Sequence, residues 1–409
     1  MMERAGRFIS GCFCWLIAAA AGLIGIYYAV LPGELTAQTG GIHGGFAGAE
    51  LTEQYGGWGY SVGSMRIKQV AVTQEQRRMM VPGGTPFGIK MRTDGVMVIS
   101  VNRGSPADCA GIRAGDVISS VNGIPVQTNS EIAAAVQLHP EGSVVILKRG
   151  SSEMCISAEP QNDGTGYRLG AWVRDSAAGI GTLTCYDPET GEFGGLGHPV
   201  SDVTTGNLMP LSSGEITQAE IYSVVKGQNG EAGELCGDLC SGTAGSLSAN
   251  TAVGVFGELV SVPEGTALPV AYRQEVECGS ASILTTLSGT EPQEYAIEIE
   301  KINMCALNGT KSMVIRVTDQ RLLDAAGGIV RGMSGSPIIQ NGMIVGAVTH
   351  VFLNDPSRGY AVFAETMLEQ MDALSTAAGR LHIMTVSQNI QQINSNILIN
   401  ALIYPKNLL

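Results

Sequence analysis

Two serines one residue apart, in a glycine-rich turn, are the residues best placed for nucleophilic chemistry. Ser334 and Ser336 lie in the stretch Gly332-Met333-Ser334-Gly335-Ser336-Pro337, between two apolar runs. A serine hydroxyl is a weak nucleophile near neutral pH, so it needs a general base and donors aimed at the developing oxyanion. Glycines at 332 and 335 allow a sharp bend that brings the amides of Gly332 and Ser334 together as an oxyanion hole. The turn therefore predicts a nucleophilic serine, Ser334 or Ser336, and the residues alone leave the choice between the two open.

A general base has to come from one of only five histidines. Three of these lie in segments poorly suited to a catalytic site: His43, His139 and His382. His198 lies in a tight turn, Gly194-Gly195-Leu196-Gly197-His198-Pro199, where a core histidine would have little to pack on. We therefore predict His198 as the base. His350 is predicted to line a substrate pocket or to be an ordinary strand histidine.

The carboxylate that would orient the base is left open by the residues themselves. Six aspartates are available, at positions 175, 187, 202, 238, 319 and 324. Asp319 follows an alternating strand and precedes Ser334 by fifteen residues, so the chain can return to the same edge.

Composition favours a β-rich protein and argues against nucleic acid as a partner. The chain has 409 residues, 55 glycines and a net charge of -13, with a pI near 4.9. Nucleic-acid binding needs clustered Lys and Arg, whereas abundant glycine is typical of short strands joined by tight turns. Cys236 and Cys240 resemble half of a zinc site, but no second ligand pair accompanies them, so no metal and no cofactor are predicted.

The N-terminal region predicts a membrane anchor. Residues 8–30 form an uncharged run long enough to cross a bilayer, with Arg4 and Arg7 before it. The positive-inside rule then places residues 1–7 in the cytoplasm and the body outside. A cleavable signal peptide is the alternative. Residues 31–80 are predicted to be a glycine-rich linker with one short strand at 66–73.

Residues 81–160 resemble a PDZ domain over their whole length. The resemblance is carried by Ala110-Gly111-Ile112, Gly115-Asp116-Val117-Ile118 and Val121-Asn122-Gly123 at the usual spacing of the family. It implies a groove beside the helix at 130–138. Backbone amides near Phe87, Gly88 and Ile89 would receive a peptide, which adds as an extra strand. The alternative is a packing module without a ligand.

Residues 161–375 predict a β-barrel or sandwich made of short strands, followed by a tail of unknown role at 376–409. The turn Gly332–Pro337 resembles the Gly-x-Ser-Gly-Gly-Pro signature of chymotrypsin-like proteases. Met333 stands where that signature usually has an acid, and Ser336 replaces its second glycine. The predicted fold is therefore mainly β: an N-terminal transmembrane helix, a PDZ domain and a chymotrypsin-like, atypical β-barrel serine peptidase domain.

Longer stretches resemble the stage IV sporulation protein B peptidases of endospore-forming bacteria. They are YRLGAWVRDSAAGIGTLTCYDP, GGLGHPVSDVTTG and the run from VTDQRLLDAAGGIVRGMSGSP to FLNDPSRGYAVF. The resemblance implies a serine peptidase with the catalytic order His198, Asp319, Ser334.

It also implies a role in sporulation signalling. The peptidase would be anchored in the forespore membrane, facing the space between forespore and mother cell. There it would cleave itself and cut a membrane-bound regulator, so that a mother-cell sigma factor is processed by an intramembrane protease. The expected partners are that protein substrate, a peptide in the PDZ groove, which includes the option of a segment of this chain, and the membrane. The alternative is a non-catalytic PDZ scaffold that holds a membrane partner.

Overall fold

Strands dominate the part of the chain that the computed structural model describes. It describes residues 22, 24–25, 28–29, 31–38, 45–46, 49–54, 57–63, 65–304 and 309–376. The strands are β1 (Glu34–Gln38), β2 (Gly45–Phe46), β3 (Ala49–Gln54), β4 (Gly57–Val62), β5 (Met65–Gln69), β6 (Ala71–Glu75), β7 (Met79–Pro82), β8 (Pro86–Val101), β9 (Val117–Val121), β10 (Ile124–Pro125), β11 (Ser143–Arg149), β12 (Ser152–Ala158), β13 (Gln161–Asn162), β14 (Tyr167–Arg168), β15 (Ala171–Tyr186), β16 (Glu192–Gly195), β17 (Leu211–Val225), β18 (Glu234–Leu239), β19 (Gly245–Thr251), β20 (Gly254–Leu259), β21 (Leu268–Pro269), β22 (Gly279–Thr285), β23 (Gln293–Ile302), β24 (Met313–Val317), β25 (Pro337–Gln340), β26 (Met343–Phe352) and β27 (Asp355–Phe363). The helices are α1 (Pro106–Cys109), α2 (Asn129–Gln137), a 3₁₀ turn (Arg273–Glu275) and α3 (Gln320–Ala326), and residues 364–376 are also helical.

A first barrel is formed by a closed ring of six strands. β8 pairs with β17, and the ring continues through β19, β20, β16 and β15 back to β8. Its interior is apolar and includes Phe87, Met97, Phe193, Ile216 and Val255, all buried. Burial of such side chains is the main favourable term in folding.

The PDZ unit is inserted into this barrel between β8 and β15, the two longest strands. The outer ends of both strands, Val96–Val101 and Ala171–Val173, continue out of the barrel, and β9, β11 and β12 extend the sheet from β8. Helix α2 begins with a capping box in which Thr128 and Glu131 satisfy each other's backbone amides. At the Asn122-Gly123 turn both residues have positive φ, 53° and 76°, as a tight hairpin requires.

A second closed barrel contains the serine turn. Its strand order is β22-β23-β24-β27-β26-β25, and its core includes Ile283, Ile315, Ile338 and Val348. The Asn341-Gly342 hairpin joins β25 to β26, with φ of 52° and 74°. Two closed barrels that face each other are the architecture that the chymotrypsin-like resemblance implies, so the mainly β prediction is confirmed.

The region predicted as a linker contains more structure than one strand. β1 pairs with β6, and β2 to β5 form a four-stranded sheet. Leu31, Leu35, Tyr60 and Val70 are buried together and form a small core. A few large side chains are thus enough to order a segment that its glycine content alone predicts to be unstructured.

The predicted anchor falls almost entirely outside the described residues. Of residues 8–30 only positions 22, 24–25 and 28–29 are described, and no helix among the described residues has the length and apolarity needed to span a bilayer. The predicted tail at 376–409 is described only at its first residue.

Candidate active site

The serine turn is held in its shape by two glycines. Gly332 and Gly335 have φ of 94° and 97°, in the left-handed region that favours glycine. Gly335 also makes a close approach: a Cβ at this position would lie 2.0 Å from the carbonyl oxygen of Thr182 and 2.5 Å from the amide of Leu196. The glycine spacing seen in the sequence is therefore required by the contact between the two barrels.

Two threonines of β15, in the first barrel, hold this turn of the second barrel. The amide of Thr182 donates to the carbonyl of Ser334 at 2.9 Å. The hydroxyl of Thr182 donates to the carbonyl of Gly332 at 2.7 Å, and that of Thr184 to the carbonyl of Gly335 at 2.8 Å. The carbonyls of Gly332, Ser334 and Gly335 are thereby turned toward β15. Sequence reasoning did not identify these threonines, because they lie about 150 residues before the turn.

Only one of the two serines reaches open space. Ser334 lines a cleft of about 490 Å³, and its hydroxyl donates to the carbonyl of Thr349 at 2.8 Å. Ser336 is fully buried, and its hydroxyl has no hydrogen-bond partner in the described part of the chain. A substrate can reach Ser334 and not Ser336.

His198 lines the same cleft. Leu196 and Gly197 before it both have positive φ, 66° and 68°, which turns the chain sharply at the end of β16. Nδ1 of His198 lies 2.8 Å from the carbonyl oxygen of Pro199. A carbonyl can only accept, so Nδ1 carries the proton and Nε2 has a free lone pair. Burial lowers the pKa of His198, and its hydrogen bond to Pro199 opposes this shift. The imidazole is therefore a neutral proton acceptor at pH 7.

His350 lies against His198 in this cleft. The two ring centroids are 4.9 Å apart, with the planes tilted by 38°. Burial lowers the pKa of His350 to about 4, with further contributions from His198 and Lys311. Of the two roles considered for His350, lining the pocket matches its position.

The predicted oxyanion donors are available. Both Gly332 and Ser334 line the cleft. Their carbonyls are occupied by Thr182, but neither amide donates a hydrogen bond to another described residue. Amides that are preorganised and unpaired are what stabilisation of a tetrahedral oxyanion requires.

No hydrogen bond or ion pair joins Asp319 to His198. Its side chain caps helix α3 and accepts hydrogen bonds from the amides of Arg321 and Ala296 and from the guanidinium of Arg321. These bonds, the Arg321 side chain first, lower the pKa of Asp319 to about 2. The chain passes from β24 directly into α3, beside β23. The side chain of Asp319 is held there, so it does not return to the edge that carries Ser334, as the fifteen-residue spacing had led us to expect. Its role in orienting His198 remains a prediction.

The peptide groove lies elsewhere than predicted. Phe87, Gly88 and Ile89 are buried near the start of β8, where the strand is hydrogen-bonded to Gly179–Gly181 on one side and to Ile216–Gln218 on the other. A strand paired on both edges cannot accept a peptide as an added strand, so this assignment is wrong. The prediction took the first strand of the PDZ-like region for its groove strand, whereas that part of β8 belongs to the first barrel.

The groove is formed instead by helix α2 and the start of β15. A cavity of about 670 Å³ has an apolar floor that includes Ile132 and Val136 of α2, and its opposite wall is the stretch Tyr167–Val173. In the described part of the chain, β8 is the only strand paired with β15 at Ala171–Val173, so the edge toward α2 is open. The sequence feature that could have identified this groove is Leu169-Gly170-Ala171-Trp172, in which Gly170 has a φ of 77°.

No group of three or more His, Cys, Asp or Glu side chains that could hold a metal occurs among the residues described. Cys236 and Cys240 lie in β18 and after it, and both are free thiols.

Two family models match the chain. The model described as SpoIVB peptidase S55 matches residues 165–368, and the model of the PDZ domain matches residues 97–148. The first range contains His198, Asp319 and Ser334. The second begins within β8, after Phe87–Ile89.

Among curated proteins, the chain is similar to the putative serine protease HhoB of Synechocystis, with 32% identity over 97 residues, which is 23% of each chain. It is also similar to the magnetosome formation protease MamE of Paramagnetospirillum magneticum, with 33% identity over 129 residues, 31% of this chain and 16% of that protein. The chain thus spans less than a quarter of the length of these relatives.

Among solved structures, the HtrA-type protease AlgW with a decapeptide has 13% identity and a TM-score of 0.30, covering 60% of this chain and 67% of that one. The PDZ domain of an SdrC-like protein from Listeria monocytogenes has 23% identity and a TM-score of 0.18, covering 20% and 87%. Scores of this size carry no functional argument.

Proposed function

We propose that this chain, which belongs to the SpoIVB peptidase S55 family through residues 165–368, is a serine endopeptidase that uses Ser334 and His198. The observation that carries the proposal is one cleft lined by Ser334, His198 and the unpaired amides of Gly332 and Ser334. Nucleophile, base and oxyanion donors are the three parts that acyl transfer by a serine requires.

In the first step, Nε2 of His198 takes the proton of the Ser334 hydroxyl while the serine oxygen attacks the peptide carbonyl. The serine proton points to the carbonyl of Thr349 in the free enzyme, so it has to turn toward His198 when substrate binds. Burial keeps His198 neutral, so that it is ready to accept this proton.

In the next step, the amides of Gly332 and Ser334 stabilise the negative charge on the tetrahedral intermediate. Loss of one such donor typically lowers kcat by about 10²–10³. Imidazolium His198 then returns the proton to the leaving amine, and water repeats the sequence on the acyl-enzyme.

The group that orients the imidazole of His198, the third member of the site, is either Asp319 or a group closer to His198. The family resemblance supports Asp319, whose carboxylate in the free enzyme is bonded to Arg321 and Ala296. The carbonyl of Pro199 is the acceptor that fixes the tautomer of His198 in this arrangement.

The biological setting is a further part of the proposal. The resemblance supports a sporulation peptidase that cleaves itself and a membrane-bound regulator, so that intramembrane processing of a sigma factor can begin. The run at 8–30, preceded by Arg4 and Arg7, supports an anchor with the body on the far side of the membrane. The PDZ groove would bind a peptide of a protein partner or of this chain.

The alternative function is a PDZ scaffold without catalysis. Three full-length proteins separate the two: wild type, Ser334→Ala and Ser336→Ala. We expect Ser334→Ala to abolish self-cleavage while Ser336→Ala retains it, because only Ser334 is at the cleft. The scaffold function gains support if Ser334→Ala no longer cleaves itself but still signals as wild type does.

A further inference from the structure

Asp202 is a buried carboxylate with no assigned role, four residues after His198. Its side chain is fully buried. One oxygen accepts from the amides of Thr204 and Thr205 at 3.0 and 2.8 Å and from the hydroxyl of Thr205 at 3.1 Å. The other oxygen accepts from Nη1 of Arg174 at 2.5 Å. Burial raises the pKa of Asp202, but these hydrogen bonds and Arg174 outweigh it and leave the pKa below its usual value.

These bonds fix the base loop, which we define as residues 198–207. Asp202 makes hydrogen bonds within the loop: its side chain accepts from the amides of Thr204 and Thr205, and its own amide donates to the carbonyl of Asn207 at 2.9 Å. Residues 198–203 of the loop line the catalytic cleft. The position of the catalytic imidazole is thus set partly by a carboxylate that does not touch it.

Arg174, the partner of Asp202, is located where β15 leaves the peptide groove. The groove wall ends at Val173, and Ala177–Ile180 of the same strand line the catalytic cleft. The pairing of β15 with β8 shifts register on both sides of Arg174, between Trp172 and Val173 and between Arg174 and Ser176. The next residue, Asp175, accepts from the amide of Asn129 at the start of the groove helix at 3.0 Å.

We propose that the Arg174–Asp202 ion pair positions the base loop and couples it to the peptide groove, so that an extended peptide added to the open edge at Ala171–Val173 accelerates Ser334 acylation. The proposal rests on the proposed function of Ser334 and His198. Pairing of a free edge adds backbone hydrogen bonds next to two register shifts. This restrains Arg174, and through Asp202 it restrains the base loop.

A covalent organophosphonate probe tests the positioning without knowledge of the natural substrate. We expect Arg174→Met to lower the first-order rate of Ser334 modification roughly tenfold with unchanged probe affinity, because it leaves a buried carboxylate unpaired. Arg174→Lys should restore most of the rate. Hydrogen exchange of the base loop should also accelerate in Arg174→Met.

The matched control is Arg149→Met. Arg149 pairs with Asp116, another buried carboxylate, through bonds of 2.7 Å, but the hydrogen bonds of this pair stay within the PDZ unit and none joins it to the base loop. We expect the control to lose stability and to keep the wild-type modification rate. Equal rates in Arg174→Met and Arg149→Met would overturn the positioning role.

The coupling is tested with an equimolar pool of decapeptides that end in a free Val, Leu, Ile or Phe, chosen because the groove floor is apolar. The pool should bind wild type and Arg174→Met equally and accelerate Ser334 modification only in wild type. Acceleration in both proteins, no acceleration in wild type, or no binding would each overturn the coupling. If Ser334 of wild type is never modified, the proposed function fails instead.

Discussion

Replacement of Thr184 by valine tests whether β15 holds the nucleophile turn. Thr184 is fully buried, and its hydroxyl is the donor found for the carbonyl of Gly335, at 2.8 Å. Valine has nearly the same shape, so Thr184→Val removes the donor with little change in packing. A buried carbonyl left without a donor costs about 1–3 kcal/mol. We expect the free energy of unfolding to fall by that amount.

The matched control is Thr285→Val. Thr285 is equally buried, but its hydroxyl has no hydrogen-bond partner within the described residues. Removal of this hydroxyl should leave the free energy of unfolding unchanged or raise it, because an unpaired buried polar group is destabilising. Denaturant unfolding of both variants, followed by tryptophan fluorescence, measures the difference.

Activity separates a local effect from general loss of stability. Gly335 directly follows Ser334, so Thr184→Val should slow Ser334 modification by an organophosphonate by up to about tenfold, the factor that corresponds to 1.4 kcal/mol. Thr285→Val should react as wild type does. If the two variants have equal unfolding free energies and equal modification rates, the proposed hold of β15 on the turn is refuted.

Three further predictions concern pH and backbone geometry. Burial lowers the pKa of His198 below 6.5, so the decline of kcat/KM toward acid pH should be centred below pH 6.5, and a decline centred above 6.5 would contradict this. His350, with a pKa of about 4, should contribute only at lower pH. The pKa of Asp319 is depressed to about 2, so its contribution to stability is present above about pH 4 and is lost as the pH falls through 2. Denaturation should show the difference in free energy of unfolding between wild type and Asp319→Ala shrinking over that range. A constant difference would contradict this prediction. Gly335→Ala should abolish activity, because its Cβ would meet a carbonyl at 2.0 Å, whereas Gly342→Ala, also at positive φ but with open space around it, should retain activity in the same cleavage assay.

The parts of the site that sequence reasoning could reach are those encoded in short turns. Ser334 and His198 each lie in a glycine-rich turn, and the structure brings both turns to one cleft. The spacing of Gly332 and Gly335 was informative because positive φ and close approach leave few alternatives to glycine. The burial of Ser336 was not predictable, because it depends on how β25 packs inside the barrel.

The parts that sequence reasoning missed depend on long-range pairing. β8 and β15 are each 16 residues long and pass from the PDZ unit into the first barrel, so a domain boundary drawn along the sequence cuts through both. For this reason Phe87–Ile89 was assigned to the wrong unit and Leu169–Trp172 was overlooked. The Arg174–Asp202 pair joins residues 28 positions apart and has no local pattern.

Identification of the residue that carries a covalent organophosphonate tests the central claim most directly. The folded full-length protein would be treated with the probe, digested and analysed by mass spectrometry, together with His198→Gln and Ser336→Ala. We predict modification of Ser334 in wild type and in Ser336→Ala, and loss of modification in His198→Gln. Modification of Ser336, or an unmodified Ser334 in folded protein that still cleaves itself, would contradict the account.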